Sequence, residues 1–364
     1  ISSANTGSYT ITNLAGITIA DGSGGTASNY TLTGGTHNFT VNQRPLNATL
    51  ARQYDGTTNA AGSDLSSFDA LQGGETLTLS GSGTAANDNV ANGISVSSLG
   101  SLALVNGTGL ASNYSLNSAS LNITQRVLNS SGSKTYDANR NALAADISLT
   151  NLVVGETLNH SGTAAISSAN AGSYTITNLA GITIADGSGG TASNYTLTGG
   201  THNFTVNPKV ISLSGTRLYD ATTNAVASDL TTISGRVGAE TLTLSGTGTL
   251  SDANVATNKT VGVGTLALGD GTGLAANYTL SGGTHQLTVD KRPLAATIAR
   301  QYDGTKTVAG SDLSSFDALQ GGETLTLSGS GTVGDENVAN GQGVTLGTLA
   351  LVDGTGLASN YSLN

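Results

Sequence analysis

The side chains able to do chemistry in this 364-residue chain are few, and they recur. Asp follows Tyr at Tyr54-Asp55, Tyr136-Asp137, Tyr219-Asp220 and Tyr302-Asp303. Such carboxylates could ligate calcium, which takes roughly six to eight oxygen ligands. Each stands alone, however, so an Asx turn that caps its own backbone is the stronger reading. Asn87-Asp88-Asn89 and Asp335-Glu336-Asn337 keep calcium as the lesser alternative. Glu75, Glu156, Glu240 and Glu323 each open a Glu-Thr-Leu triplet. Glycoside hydrolysis needs two carboxylates facing one bond, so a role at a turn or strand entry fits these better. His37, His202 and His285 share one position and His160 stands apart, too few imidazoles per copy for zinc. There is no Cys, hence neither thiolate site nor disulfide. No Ser/His/Asp order recurs, and no Gly-rich phosphate loop lies between a strand and a helix. Lys and Arg number 13 against 23 acidic residues, a net charge of −10, which argues against a nucleic-acid partner. No apolar run approaches the roughly 20 residues of a membrane-spanning helix. The expectation is therefore no enzyme, with no catalytic, cofactor-binding or metal-binding residue assigned and no cofactor apart from the calcium alternative.

What repeats is a block of about 83 residues. The Tyr-Asp pairs are spaced 82, 83 and 83 residues apart. Asn-Tyr recurs at Asn29-Tyr30, Asn113-Tyr114, Asn194-Tyr195, Asn277-Tyr278 and Asn360-Tyr361, and a basic residue (Arg44, Arg126, Lys209, Arg292) stands eleven positions before each Tyr-Asp aspartate. These markers divide the chain into 1–42, the C-terminal half of a repeat, then repeats 43–124, 125–207 and 208–290, and a truncated repeat 291–364. Residues 1–42 match 166–207 except at Thr6 against Ala171, and 43–117 closely match 291–364. Both ends fall inside a copy and nothing at the start resembles a signal peptide, so the chain reads as a window on a longer array.

The apolar pattern has period two. Thr76-Leu77-Thr78-Leu79, Thr241-Leu242-Thr243-Leu244 and Phe204-Thr205-Val206 alternate apolar with small polar residues, as half-buried strands do. Gly34-Gly35, Gly199-Gly200 and Gly282-Gly283 separate two such runs and read as two-residue hairpin turns. A short helical turn is expected around residues 64–68. Six to eight strands per block, with turns every eight to twelve residues, predict an all-β tandem array of Ig-like antiparallel β-sandwiches. Each would close its own core, and Pro45, Pro208 and Pro293 at strand starts suit that layout. Junctions without a Gly/Ser linker predict an elongated rod; a β-solenoid is the alternative architecture.

Gln53-Tyr54-Asp55-Gly56-Thr57-Thr58, Gly74-Glu75-Thr76-Leu77 and Gly109-Leu110-Ala111-Ser112-Asn113-Tyr114 resemble the YDG and MBG (mostly bacterial Ig-like) repeats of filamentous-haemagglutinin-type, two-partner-secreted bacterial adhesins. Ala138 and Ala221 depart from the motif's glycine. The resemblance implies the stalk or fibre shaft of a large secreted or cell-surface adhesin, in cell adhesion, aggregation or biofilm matrix, at an extracellular location. Its partners would be neighbouring repeats, exopolysaccharide or other copies of the fibre. The alternative is a repeated low-affinity polysaccharide-binding module gaining avidity from copy number. The repeated Tyr is read as core rather than as a sugar-stacking platform. Asn-Tyr is read as a turn asparagine with a core tyrosine, and the junction bases as bridges to an acid across the boundary. Sequons at Asn29, Asn38, Asn47, Asn113, Asn194 and Asn277 are frequent, in a chain rich in Asn and Thr.

Overall fold

The computed structural model describes residues 1–364. It is all-β, with helical structure confined to three-residue 3-10 turns. By packing, the chain falls into two compact units. One is Ile1–Ser131 with Leu143–Ala164 and Asn178–His202; the other is Gly132–Ala142 with Ala165–Thr177 and Asn203–Asn364. Repeat 43–124 lies wholly in the first unit and 208–290 wholly in the second.

Repeat 43–124 contains eight strands: β1 Arg44–Gln53, β2 Asn59–Ala61, β3 Leu65–Phe68, β4 Leu77–Ser80, β5 Ser82–Ala85, β6 Ala91–Ser98, β7 Ala103–Asn106 and β8 Tyr114–Thr124. A six-stranded sheet runs in the order β2-β5-β6-β8-β1-β3, and β4 pairs with β7 in a separate two-stranded antiparallel sheet. The period-two pattern aims one face inward. Leu46, Ala48 and Leu50 of β1 and Ala119, Leu121 and Ile123 of β8 are buried, with Ile94 and Val96 of β6 beside them. Leu79 of β4 packs into the same cluster, so the β4–β7 pair closes a second layer over the sheet. This two-layer arrangement, with antiparallel pairing predominating, is the sandwich pattern rather than a stack of solenoid rungs.

One pairing is not antiparallel. β1 and β8, the first and last strands of the repeat, run parallel from Arg44↔Tyr114 to Gln53↔Thr124, with one bulge between Leu116 and Ser118. In repeat 208–290, Lys209–Val210 pairs with Tyr278–Thr279, and Ser212–Leu218 with His285–Asp290, again in parallel. This corrects the expected Gly-Gly hairpin. Gly282-Gly283 does not reverse the chain; it interrupts the last strand, and both flanking runs stay alongside the first. Gly282 uses its freedom to hold φ at +82°, and a Cβ on Gly283 would collide with the Ile211 carbonyl oxygen. Gly199 (φ +85°) and Gly200 repeat the device, the latter against the Leu128 carbonyl oxygen. The expected helical turn at 64–68 lies instead at Gly62–Asp64, and Leu65–Phe68 is a strand.

The expected closed core also needs correction. In the first unit one apolar cluster contains Leu50, Leu121 and Ile123 of repeat 43–124 together with Leu128 and Tyr195 of repeat 125–207. Tyr54 joins the two sets. A repeat of this size buries too little by itself, and its core is continued by the next repeat.

Candidate functional site

The recurring residues converge where consecutive repeats meet. Tyr54 follows β1, and its amide donates to the Thr124 carbonyl at 2.9 Å, which extends the β1–β8 ladder by one step. Its ring is buried and points into the next repeat. There the hydroxyl donates to Glu156 Oε1 at 2.6 Å, while the Tyr195 hydroxyl donates to Oε2 of the same carboxylate at 2.6 Å. The two rings meet edge to face, with centroids 5.4 Å apart and planes at 78°. Tyr195 Oη also accepts the Val153 amide at 3.1 Å, so the tight turn that carries Glu156 is tied to the same ring.

The second unit holds this cluster twice. Tyr136 and Tyr278 donate to the two oxygens of Glu240 at 2.7 and 2.6 Å, with ring centroids 5.4 Å apart. Tyr219 and Tyr361 donate to Glu323 at 2.6 and 2.5 Å, with centroids 5.3 Å apart. Three clusters flanked by divergent sequence thus agree to about 0.1 Å. Tyr114 binds Glu75 in the same way without a second tyrosine. A glycine makes room for the glutamate stem each time: a Cβ on Gly109 would come within 3.0 Å of Glu75 Cβ, and one on Gly356 within 2.9 Å of Glu323 Cβ.

Burial, and next the hydrogen bond to a carboxylate, favour the neutral phenol. They push Tyr136, Tyr195 and Tyr361 up to about 12, and raise Tyr54, Tyr219 and Tyr278 as well. For Tyr114 the bond to Glu75 is the larger cause.

Asparagine supplies a second set of contacts. Asn194, 1% exposed, accepts the Val90 amide at 2.9 Å and donates to Asn89 Oδ1 at 3.0 Å, both in the preceding repeat. Asn277 does the same with Ala171 and Asn170, Asn360 with Val255 and Asn254, and Asn113 with Thr6 and Asn5. The side chains of the sequons at Asn113, Asn194 and Asn277 are therefore spent on these contacts. Asn89, in the tripeptide that kept calcium open, is a partner here.

The Tyr-Asp aspartates form the expected Asx turns. Asp55 Oδ1 accepts from the Thr57 amide at 2.9 Å, and Asp220 and Asp303 accept from Thr222 and Thr305 likewise. Sequence reading missed their cation. A basic residue three positions earlier is folded under each turn: Arg52 pairs with Asp55, Lys134 with Asp137 at 2.8 Å, Arg217 with Asp220 at 2.6 Å and Arg300 with Asp303 at 2.5 Å. The spacing Arg/Lys-x-Tyr-Asp was readable in all four copies. The junction bases do not reach an acid. Arg126 donates to the Tyr54 carbonyl at 3.4 Å and to Asn151, and Arg292 donates to the Tyr219 carbonyl at 3.2 Å. Main-chain oxygens, and for Arg126 the Asn151 side chain as well, take the guanidinium instead.

His160 Nε2 donates to the Ala144 and Ile147 carbonyl oxygens, and His202 sits buried between Ser130 Oγ (2.9 Å) and the Leu197 oxygen (2.8 Å). His285 meets Leu280 O at 2.9 Å, and His37 meets Leu32 O at 2.8 Å. No three His, Asp or Glu side chains converge in a way that would hold a metal ion.

A family model recurs along the chain at the same period. The YDG domain model matches four successive stretches, residues 41–123, 119–203, 201–288 and 283–364. The chain belongs to the YDG domain family. No curated protein and no solved structure matches it. The Tyr-Asp motif of one YDG repeat thus supplies the tyrosine that the next repeat's Glu-Thr-Leu and Asn-Tyr motifs receive. No helix is long and apolar enough to cross a membrane.

Proposed function

We propose that this run of YDG repeats is a non-catalytic, load-bearing shaft segment of a large secreted or cell-surface bacterial adhesin, working outside the cell. The observation that carries this reading is the parallel pair of terminal strands. Tension enters a repeat at the start of β1, beside Arg44, and leaves at the end of β8, beside Thr124. Parallel strands put those two points at opposite ends of one ladder. The load therefore runs along the strands and across their hydrogen bonds, so the bonds resist together instead of opening one by one. The first strand of the next repeat begins at Arg126 and again pairs in parallel, with Tyr195–Thr196. Burial of Tyr54, Tyr136 and Tyr219 at the junctions also supports a structural use of these three tyrosines over sugar stacking.

Single-molecule stretching of the full chain from its two ends tests this. Unfolding should occur in discrete events, each releasing about 300 Å of contour, the extended length of one block of some 83 residues at about 3.6 Å each. Smooth extension, without force peaks, would remove the mechanical reading.

A further inference from the structure

The chain contains no Cys, Met or Trp, so its 11 tyrosines are its most readily oxidised side chains. Six of them are held as three pairs. Each pair joins successive YDG repeats, has ring centroids 5.3–5.4 Å apart and directs both hydroxyls to one carboxylate. We propose that the pairs Tyr54–Tyr195, Tyr136–Tyr278 and Tyr219–Tyr361 are sites of oxidative dityrosine cross-linking between neighbouring repeats, driven by a peroxide-class oxidant.

The geometry provides what the reaction needs. A phenol loses an electron readily only if its proton leaves with it, and a carboxylate at 2.5–2.7 Å is in place to take that proton. Each glutamate bridges two phenols, so the hydroxyl ends of both rings converge on it, and the ring carbons that couple are those flanking the hydroxyls. The balance closes with hydrogen peroxide as the oxidant. Each tyrosine gives up one electron and its phenolic proton, and the two radicals join through one new carbon–carbon bond. The two ring C–H protons then leave, restoring both phenols. Overall two electrons and two protons reduce one peroxide to two waters. Fixed neighbours need no encounter step, which favours coupling within a pair over coupling between molecules. Under the load-bearing reading, on which its purpose though not its chemistry rests, the product is a covalent tie across each junction in a chain that has no disulfide.

The test oxidises the full chain at high dilution with photogenerated ruthenium(III) tris-bipyridine, persulfate being the terminal electron acceptor. Proteolysis and mass spectrometry then locate the linked peptides. The expected result is three intramolecular links, 54–195, 136–278 and 219–361, with none at Tyr114, which holds Glu75 alone. Tyr54→Phe should abolish the first link and leave the other two. Glu156→Gln, which removes the proton-accepting carboxylate while keeping the side chain's size, should lower the first link at least about tenfold with the other two as internal controls. Hydrogen exchange at the Tyr54 amide, bonded to Thr124 O at 2.9 Å, checks that this junction stays folded in the variant. Links confined to exposed tyrosines such as Tyr30 and Tyr302, or a first link unchanged in Glu156→Gln, would overturn the assignment. Neither result would touch the stretching experiment, so the two readings fail separately.

Discussion

Replacing Glu240 isolates what one junction contributes. Its carboxylate accepts from Tyr136 at 2.7 Å and from Tyr278 at 2.6 Å, and both rings remain buried against each other once it is gone. A hydrogen bond to a charged group contributes about 1.5–3 kcal/mol, and a buried hydroxyl left without its acceptor loses most of that. Two such losses, reduced because they share one acceptor, give about 3–5 kcal/mol for Glu240→Ala. Glu240→Gln should cost about half as much. The amide oxygen keeps one hydroxyl, but its NH2 faces the other, and Tyr278 Oη already accepts from the Val237 amide at 3.0 Å. Tyr136→Phe, which keeps the ring contact, should cost about 1–2 kcal/mol, and a double-mutant cycle with Glu240→Gln should return a coupling of similar size. Native-state hydrogen exchange in the full chain reads this locally. The Tyr136 amide, bonded to Asn207 O at 2.9 Å, should lose at least about a hundredfold of its protection in Glu240→Ala. The Tyr219 amide, bonded to Asp290 O at 2.9 Å in the next cluster, should keep its own. Unchanged protection at Tyr136, or an equal loss at Tyr219, would refute the picture of separate carboxylate clamps.

Two further outcomes follow from the same geometry. In the unfolded chain tyrosine ionises near pH 10, whereas Tyr136, Tyr195 and Tyr361 are raised to about 12 in the fold. The unfolded state therefore holds fewer protons than the native state above pH 10. Stability should be fully present below that pH and fall as the pH rises from about 10 to about 12. Urea midpoints measured across that window check this, and the fall should be shallower in a Tyr54→Phe, Tyr136→Phe, Tyr219→Phe triple variant. The turn residue after Tyr-Asp is left-handed in every copy: Gly56 at φ +74°, Gly304 at +73°, but Ala138 at +63° and Ala221 at +62°. Ala138→Gly and Ala221→Gly should each stabilise by about 0.5–1 kcal/mol through relief of that strain. A lower thermal midpoint in either variant would count against it.

The tandem organisation and the strands were legible because both are periodic. A spacing of 83 residues and an alternation of two survive divergence at individual positions, and a hydrophobic face is read the same way wherever it occurs. Direction was less legible. Gly199-Gly200 and Gly282-Gly283 announce positive φ, which a hairpin turn and a strand interruption both require, and only the first strand running past the Leu128 and Ile211 carbonyls decides between them. The Arg52, Lys134, Arg217 and Arg300 cations were present at a fixed spacing, and were passed over because a lone basic residue on a strand edge usually faces water.

The junction itself was hidden for a different reason. Tyr54 and Glu156 are separated by 102 residues and belong to different copies, so a search for side chains that cooperate inside one block looks in the wrong block. Recurrence still held the information. A core position needs only to be apolar and of about the right size, and the copies vary there: Leu50 against Ile298, Ala60 against Val308. A position that must fit the end of a neighbouring repeat has no such latitude, since two hydroxyls and one carboxylate have to meet within a few tenths of an ångström. Tyr-Asp, Glu-Thr-Leu and Asn-Tyr stay fixed in copies whose other residues drift. That contrast marks these positions as the surfaces by which one repeat receives the next.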